Sequence, residues 1–163
     1  MTTRNLDALF KPQAIALIGA SNQLGSVGNV LARNLLGAGF AGPILPVNPH
    51  ETKIHGAKSY RAVVDPPVDP DLAVIATPPH VIPSLIAEPG ERGCRAAVVI
   101  TAGFDAKLSG AMLATGRPHL MRIVGLNCLG FLSPTSGINA SFAHRTPAKG
   151  RLAFLTQSGA IAT

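Results

Sequence analysis

The sequence predicts a doubly wound α/β domain, a mostly parallel sheet with helices on both faces. Three observations carry this. Short apolar runs alternate with stretches of helical periodicity, the runs are too continuously apolar for a sheet with one wet face, and glycine or proline punctuates them. Apolar residues make up 47% of the 163 and charged residues 13%, which supports a buried core and excludes a disordered chain.

Taken in order, Ala14-Ile-Ala-Leu-Ile18 is a strand buried on both faces and ends on glycine. Ser26 to Leu36 has helical spacing and stops at Gly37 and Gly39. Pro43 to Val47 is a second strand. Asp71 to Thr77 is a third, with Val81 to Ala87 helical behind it. Arg95 to Thr101 is a fourth, Ser109 to Thr115 a weak helix, and Met121 to Val124 a short fifth strand. Pro89-Gly90 and Gly110 predict that their helices are short or kinked. Such alternation is Rossmann-like, with right-handed crossovers and helices covering both faces.

From Gly130 to Gly150 periodicity disappears while Pro134, Gly137, Pro147 and Gly150 accumulate, so the stretch reads as a linker wrapped on a surface. Arg151 to Leu155 then begins a new strand and Thr156 a new helix. The expected organisation is a domain over 1–130, a linker over 131–150 and the start of a second, flavodoxin-like domain over 151–163. A chain that stops as a helix begins is expected to be cut from a longer protein.

Composition narrows the function classes. The net charge of +6 comes from 14 Lys and Arg against 8 Asp and Glu, scattered without a run. It fits either a solvated basic surface or an anionic, phosphate-bearing ligand. Aromatics are only 4% and Trp is absent, which argues against nucleic-acid binding through base-stacking platforms. No apolar run is long enough to span a membrane, and the polar N-terminus is unlike a secretory signal, so the cytoplasm is the expected compartment. Cys94 and Cys128 lack CxxC or His spacing, which points to reduced thiols and no metal site.

Ligands of such sheets bind at the carboxyl ends of the strands. Four segments converge there. Gly19, Ala20, Ser21, Gly25, Ser26, Val27 and Gly28 form a glycine-rich strand-to-helix loop that can bring amides close to a phosphate, although such loops also serve tight packing alone. It is neither GxGxxG nor a Walker loop. After the second strand stand Asn48, Pro49, His50 and Lys53, where a dinucleotide site usually has an acid for the ribose. Donors in that place suit a ribose phosphate, as in NADP or coenzyme A, or are ordinary solvated loop residues. Ala76, Thr77, Pro78 and Pro79 make a rigid wall, and Thr101, Ala102 and Gly103 a fourth strand end turning on glycine.

Several motifs occur in order: LFKPQAIALIGAS at 9–21, VNP at 47–49, ATPP at 76–79, ITAGF at 100–104, GLNCLG at 125–130 and LTQSG at 155–159. Together they resemble the coenzyme A-binding domain of the nucleoside-diphosphate-forming acyl-CoA synthetases, which include the succinyl-CoA synthetase α subunits. GAGFAGPILPVNP and GINASF are also similar to the synthetase-like region of GNAT-type protein lysine acetyltransferases. The resemblance implies that the Gly19–Gly28 loop receives the nucleotide end of coenzyme A or acyl-CoA. It puts Asn48, Pro49 and His50 by the ribose phosphate, Thr77 to Pro79 along the adenine and pyrophosphate path, and Asn127 and Cys128 toward the thiol. Ser158 and Gly159, at a helix start, would help hold a phosphohistidine. That histidine, the nucleotide and its Mg would belong to further domains of an oligomeric parent, leaving no catalytic residue here. The family usually has proline where this chain has Leu126. A sensing module of an acetyltransferase and an NAD(P)-binding oxidoreductase domain are the alternatives.

Overall fold

The structure, a computed structural model, describes residues 3–158. A short helix α1 (Leu6–Phe10) leads into β1 (Ile15–Ile18), α2 (Val27–Gly37) and β2 (Ile44–Val47). A small hairpin of β3 (Lys53–Ile54) and β4 (Ala57–Lys58) follows, then β5 (Leu72–Ile75), α3 (Ile82–Glu91), β6 (Ala96–Val99), α4 (Ala106–Gly116) and β7 (Arg122–Gly125). A second hairpin, β8 (Gly130–Ser133) and β9 (Ile138–Ser141), closes the ordered elements.

The main sheet has five strands in the order β2-β1-β5-β6-β7, and every neighbouring pair is parallel. The order reverses between β1 and β5. Loops leaving the carboxyl ends of those two strands part there and open a crevice. All four residues of β1, β5 and β6 are buried, as expected for strands covered on both faces. Their side chains alternate. Ile15, Leu17, Leu72, Val74, Ala96 and Val98 pack with Leu31 and Leu35 of α2. Ala16, Ile18, Ala73, Ile75, Ala97 and Val99 pack with Ile82 and Ile86 of α3 and Met112 of α4. Burying each large side chain contributes about 1.5–3 kcal/mol, so both helical layers are held by the sheet.

Local chemistry fixes the helix starts. The Ser26 hydroxyl accepts from Asn29 N–H at 3.1 Å, and Asp105 Oδ1 accepts from Leu108 N–H at 2.7 Å. The expected interruption at Pro89-Gly90 is corrected, because α3 runs on to Glu91 with Pro89 inside its last turns. A proline near the C-terminal end removes one helical N–H without breaking the earlier turns. Gly90 has a separate reason, since a Cβ there would lie 2.6 Å from the His119 ring. Gly110 likewise leaves α4 intact, with eleven residues.

The surface linker expected from Gly130 is also corrected for residues 130–141. Gly130 pairs with Ser141 and Ser133 with Ile138 in an antiparallel hairpin. All four residues of β9 are buried, and Ile138 and Ala140 join the α2 side of the core. The Asn34 amide of α2 donates to Ser141 O at 2.8 Å and Ala143 O at 3.1 Å. Phe131 meets Phe10 of α1 edge-on, with centroids 5.5 Å apart. Beyond the hairpin, residues 142–158 carry no helix or strand. The strand expected at Arg151–Leu155 therefore does not form among the described residues, where Leu152, Phe154 and Leu155 are exposed. A strand without a ladder neighbour leaves its backbone to water. The helix expected from Thr156 runs into residues outside those described. No helix among the described residues is long and apolar enough to cross a membrane.

If β9 is part of the core, Ile138→Ala lowers unfolding stability by about 2–4 kcal/mol in urea denaturation, whereas Leu152→Ala leaves the midpoint unchanged. Equal, negligible effects would return the segment to a linker.

Candidate functional site

The loops at the carboxyl end of the sheet are built on missing Cβ atoms. Gly19 follows β1 with φ +86°, and a Cβ there would lie 2.5 Å from Ala76 O and 2.9 Å from Thr77 Cγ2. The loops after β1 and β5 thus touch at the point where strand order reverses. Gly28 presses the first turn of α2 onto the same loop, since its Cβ would lie 2.0 Å from Gly19 O. Gly25 also has positive φ, but opens on free space and serves only the turn.

Across this loop lies the segment after β2. Asn48 Nδ2 donates to Ala20 O at 2.7 Å, while its Oδ1 accepts from His50 N at 2.8 Å and Glu51 N at 3.2 Å. Its side chain is a staple between two loops, fully engaged with backbone. Pro49, His50 and Lys53 are exposed beside it. Sequence reasoning missed Asn22, Asn29, Glu51 and His55, which complete the connection. Glu51 Oε1 accepts from Ser21 Oγ at 3.3 Å and Asn22 N at 3.1 Å, and its Oε2 accepts from Asn22 Nδ2. Asn22 Oδ1 in turn accepts from His55 N at 3.0 Å, and Asn22 Nδ2 also donates to Lys53 O at 2.8 Å. Asn29 is only 5% exposed and donates to Ser21 O at 3.2 Å, with His55 Nε2 3.1 Å from the same amide nitrogen. The available signal was the adjacency of β1 and β2, which makes polar residues in their two trailing loops neighbours.

A cleft of ≈ 640 Å³ opens at the same end of the sheet. Val27 borders it from the start of α2, Ala76 and Thr77 from the end of β5, and Ile100, Thr101 and Ala102 from the end of β6. Asn127, Cys128 and Leu129 come from the loop after β7, and Phe142 and Gln157 from the chain beyond β9. Seven of the sequence-selected residues therefore share one cavity: Val27, Ala76, Thr77, Thr101, Ala102, Asn127 and Cys128. Gly25, Pro49, His50, Lys53, Pro78, Pro79, Gly103 and Ser158 do not line it. Gly103 has φ +84° and faces Pro79, whose Cγ would be 3.9 Å from a Cβ there. Ser158 N–H donates to Thr156 Oγ1 at 3.0 Å, and Gly159 lies outside the described residues.

The wall is tied together by short polar links. Thr101 Oγ1 donates to Thr77 O at 2.7 Å, and Asn127 N–H to Thr101 O at 3.0 Å. Gly125 sits against Val99 O, with φ +100° and a would-be Cβ at 2.2 Å. The Gly125–Leu126 peptide is cis, and Leu126 packs with the α3–α4 side of the core. Among the described residues two buried hydroxyls, of Ser59 and Thr77, lack a partner, and the second belongs to this wall. Thr77 Oγ1 is buried without a hydrogen-bond partner, on a residue that borders the cleft. A buried hydroxyl left unpaired costs about 1–3 kcal/mol.

The two thiols differ. Cys128 Sγ donates to Val99 O at 3.4 Å, and burial pushes its pKa above the ordinary thiol value. Cys94 lies at the amino end of the strands, just before β6, and burial pushes it up to about 12. Among the described residues no group of His, Cys, Asp and Glu could hold a metal ion.

This geometry has close relatives. Residues 13–134 match the CoA binding domain family. The ADP-forming acetate–CoA ligase I of Archaeoglobus fulgidus is 39% identical over 96% of this chain, which spans 23% of that ligase. The ADP-forming 4-hydroxybutyrate–CoA ligase of Nitrosopumilus maritimus is 34% identical over 94% of the chain, again 23% of the relative's length. Among solved structures, an acetyl-coenzyme A synthetase of Ca. Korarchaeum cryptofilum in complex with phosphate and ADP superposes with a TM-score of 0.91. It shares 37% identity over 96% of this chain and 34% of its own. Of the motifs that suggested the resemblance, VNP, ATPP, ITAGF and GLNCLG lie within the matched residues and LTQSG lies beyond them; the chain belongs to the CoA-binding domain family.

Proposed function

We infer that this domain binds coenzyme A along the carboxyl ends of β1, β5, β6 and β7, and that it works within an ADP-forming acyl-CoA ligase. The observation that carries the reading is the cleft beside the strand-order reversal, with a buried Thr77 hydroxyl lacking a partner in its wall. Its small residues, Ala76, Thr101 and Ala102, leave room for a slender arm, while Val27, Ile100 and Leu129 give that arm apolar contact. The nucleotide end belongs by the Gly19–Gly28 loop, with His50 and Lys53 as exposed donors nearby. The thiol end belongs by Asn127 and Cys128.

An NAD-type site requires an acid free to take the ribose hydroxyls at the end of the second strand. Here that place is held by Asn48, whose side chain is bound to Ala20, His50 and Glu51. The nearest acid, Glu51, is committed to Ser21 and Asn22. Both facts favour coenzyme A over a nicotinamide nucleotide.

In the complete ligase, acyl-CoA, ADP and phosphate would be exchanged for carboxylate, free coenzyme A and ATP. Passing the phosphoryl group through a covalent phosphohistidine divides the transfer into easier steps. The part of this domain is to bind and orient. It fixes the thioester end near Asn127 while remote contacts hold the nucleotide, so that the reacting end is presented in one geometry. Nucleotide, Mg and phosphohistidine chemistry would reside in other domains of the same assembly.

Calorimetric titration tests the reading directly. Coenzyme A is expected to bind more tightly than NADP and NAD, and tighter binding of either nicotinamide nucleotide overturns it. Thr77→Val removes the unmatched hydroxyl with little change in shape. Its unfolding midpoint is expected to hold or rise, while coenzyme A affinity falls about threefold to tenfold. Cys128 offers a third readout. The thiolate attacks iodoacetamide and displaces iodide, so alkylation followed by mass spectrometry is expected to be slow at neutral pH and to accelerate as pH rises through the alkaline range. Saturating coenzyme A should slow it further, and Cys94 should remain unmodified throughout.

A further inference from the structure

The carboxylate of Glu51 occupies a set of donors that an anion would use. Its Oε1 takes the Ser21 hydroxyl at 3.3 Å and the Asn22 backbone N–H at 3.1 Å, and its Oε2 takes the Asn22 side-chain amide. A hydroxyl, a backbone amide and a side-chain amide converging from the first residues of a strand-to-helix loop are a typical phosphate-binding set. All three donors are neutral, so the carboxylate is held by hydrogen bonds alone. It sits in the wall assigned to the nucleotide end, where a fixed negative charge opposes a ligand phosphate across a few ångströms.

We propose that Glu51 is a specificity-setting residue that stands in for the ribose phosphate of coenzyme A and must leave Ser21 and Asn22 when that phosphate arrives. This rests on the coenzyme A reading and adds a competition to it. The anchoring of the donors supports it. Asn22 Oδ1 is held by His55 N at 3.0 Å, and Ser21 O by the buried Asn29 amide at 3.2 Å. The donors therefore stay in place while the flexible Glu51 side chain is the part free to move. Apart from the bonds its carboxylate would exchange, Glu51 is held through its backbone N–H, to Asn48 Oδ1 at 3.2 Å. A phosphate offers three acceptor oxygens where the carboxylate offers two, so the exchange satisfies the same donors.

The consequence is specific to one phosphate. Part of the binding energy of the ribose phosphate goes into displacing Glu51, and a ligand without that phosphate leaves the carboxylate where it is. Glu51→Gln and Glu51→Ala are therefore expected to raise the preference for coenzyme A over dephospho-coenzyme A by about threefold to tenfold in calorimetry. Taking the ratio of the two ligands cancels any general loosening of the loop, which weakens both alike. An unchanged or reduced ratio overturns the proposal and makes Glu51 a structural brace. Failure of the wild-type domain to bind either ligand overturns the coenzyme A reading itself, a distinct outcome. A measurement without any variant covers the case in which the substitutions unfold the loop. In the wild-type domain, the Asn22 backbone amide resonance should move markedly with coenzyme A and little with dephospho-coenzyme A. Equal shifts, or none, would again overturn the displacement.

Discussion

The backbone contact on which the site depends lies where the strand order reverses. Gly19, Gly28 and the Ala76 carbonyl approach so nearly that a single methyl group on either glycine would overlap backbone, at 2.5 Å for Gly19 and 2.0 Å for Gly28. Backbone cannot retreat as a side chain can, so the contact fixes three things together. It fixes the distance between β1 and β5 at their carboxyl ends, the angle at which α2 leaves the loop, and the height of Thr77 in the cleft wall. Sheet burial fixes the strands, with β1, β5 and β6 entirely inside. The glycines convert that rigidity into a shaped opening.

Much of this was legible in the sequence, for a physical reason. Apolar runs such as Ile15–Ile18 and Ala96–Val99 satisfy one requirement, burial on both faces, that short-range composition can express. Seven site residues lining one cleft follow from the same logic, since parallel strands put all their exits at one end. What escaped notice was long-range. β9 alternates Ile138 and Ala140 with Asn139 and Ser141, and its pairing with β8 and packing on α2 bury those polar residues. Asn139 donates to Thr146 Oγ1, and the Ser141 hydroxyl donates to Asn139 Oδ1, so these polar groups are satisfied by each other and by the segment that follows the hairpin. Pro89 misled in the other direction, because proline's cost depends on how much helix lies beyond it.

The polar side of the site shows the same limit. Asn48 was visible as a departure from an acidic residue, and its chemistry was read as donation to a ligand. In the fold its amide is spent on Ala20 and its oxygen on a turn. Three side chains, Asn22 within the glycine-rich loop, Asn29 at the start of α2 and Glu51 on the neighbouring loop, hold that loop in place. None has a spacing that marks it, because hydrogen bonds between loops depend on which strands are adjacent and not on separation along the chain.

This arrangement bears on how one fold distinguishes nucleotides. A dinucleotide site presents a free carboxylate at the end of the second strand, and a hydroxylated ribose satisfies it. Moving the acid three residues onward, from the place of Asn48 to Glu51, lets it reach the neighbouring loop instead. The carboxylate then gains hydrogen bonds from Ser21 and Asn22 and loses its availability to a hydroxyl pair. His50 and Lys53 are exposed on the same stretch, and under the proposed coenzyme A reading that edge would meet a phosphate in place of a diol. On that reading selectivity follows from which partner an acid finds within the protein, and the presence or absence of acidic residues in the sequence is a poor substitute for that information.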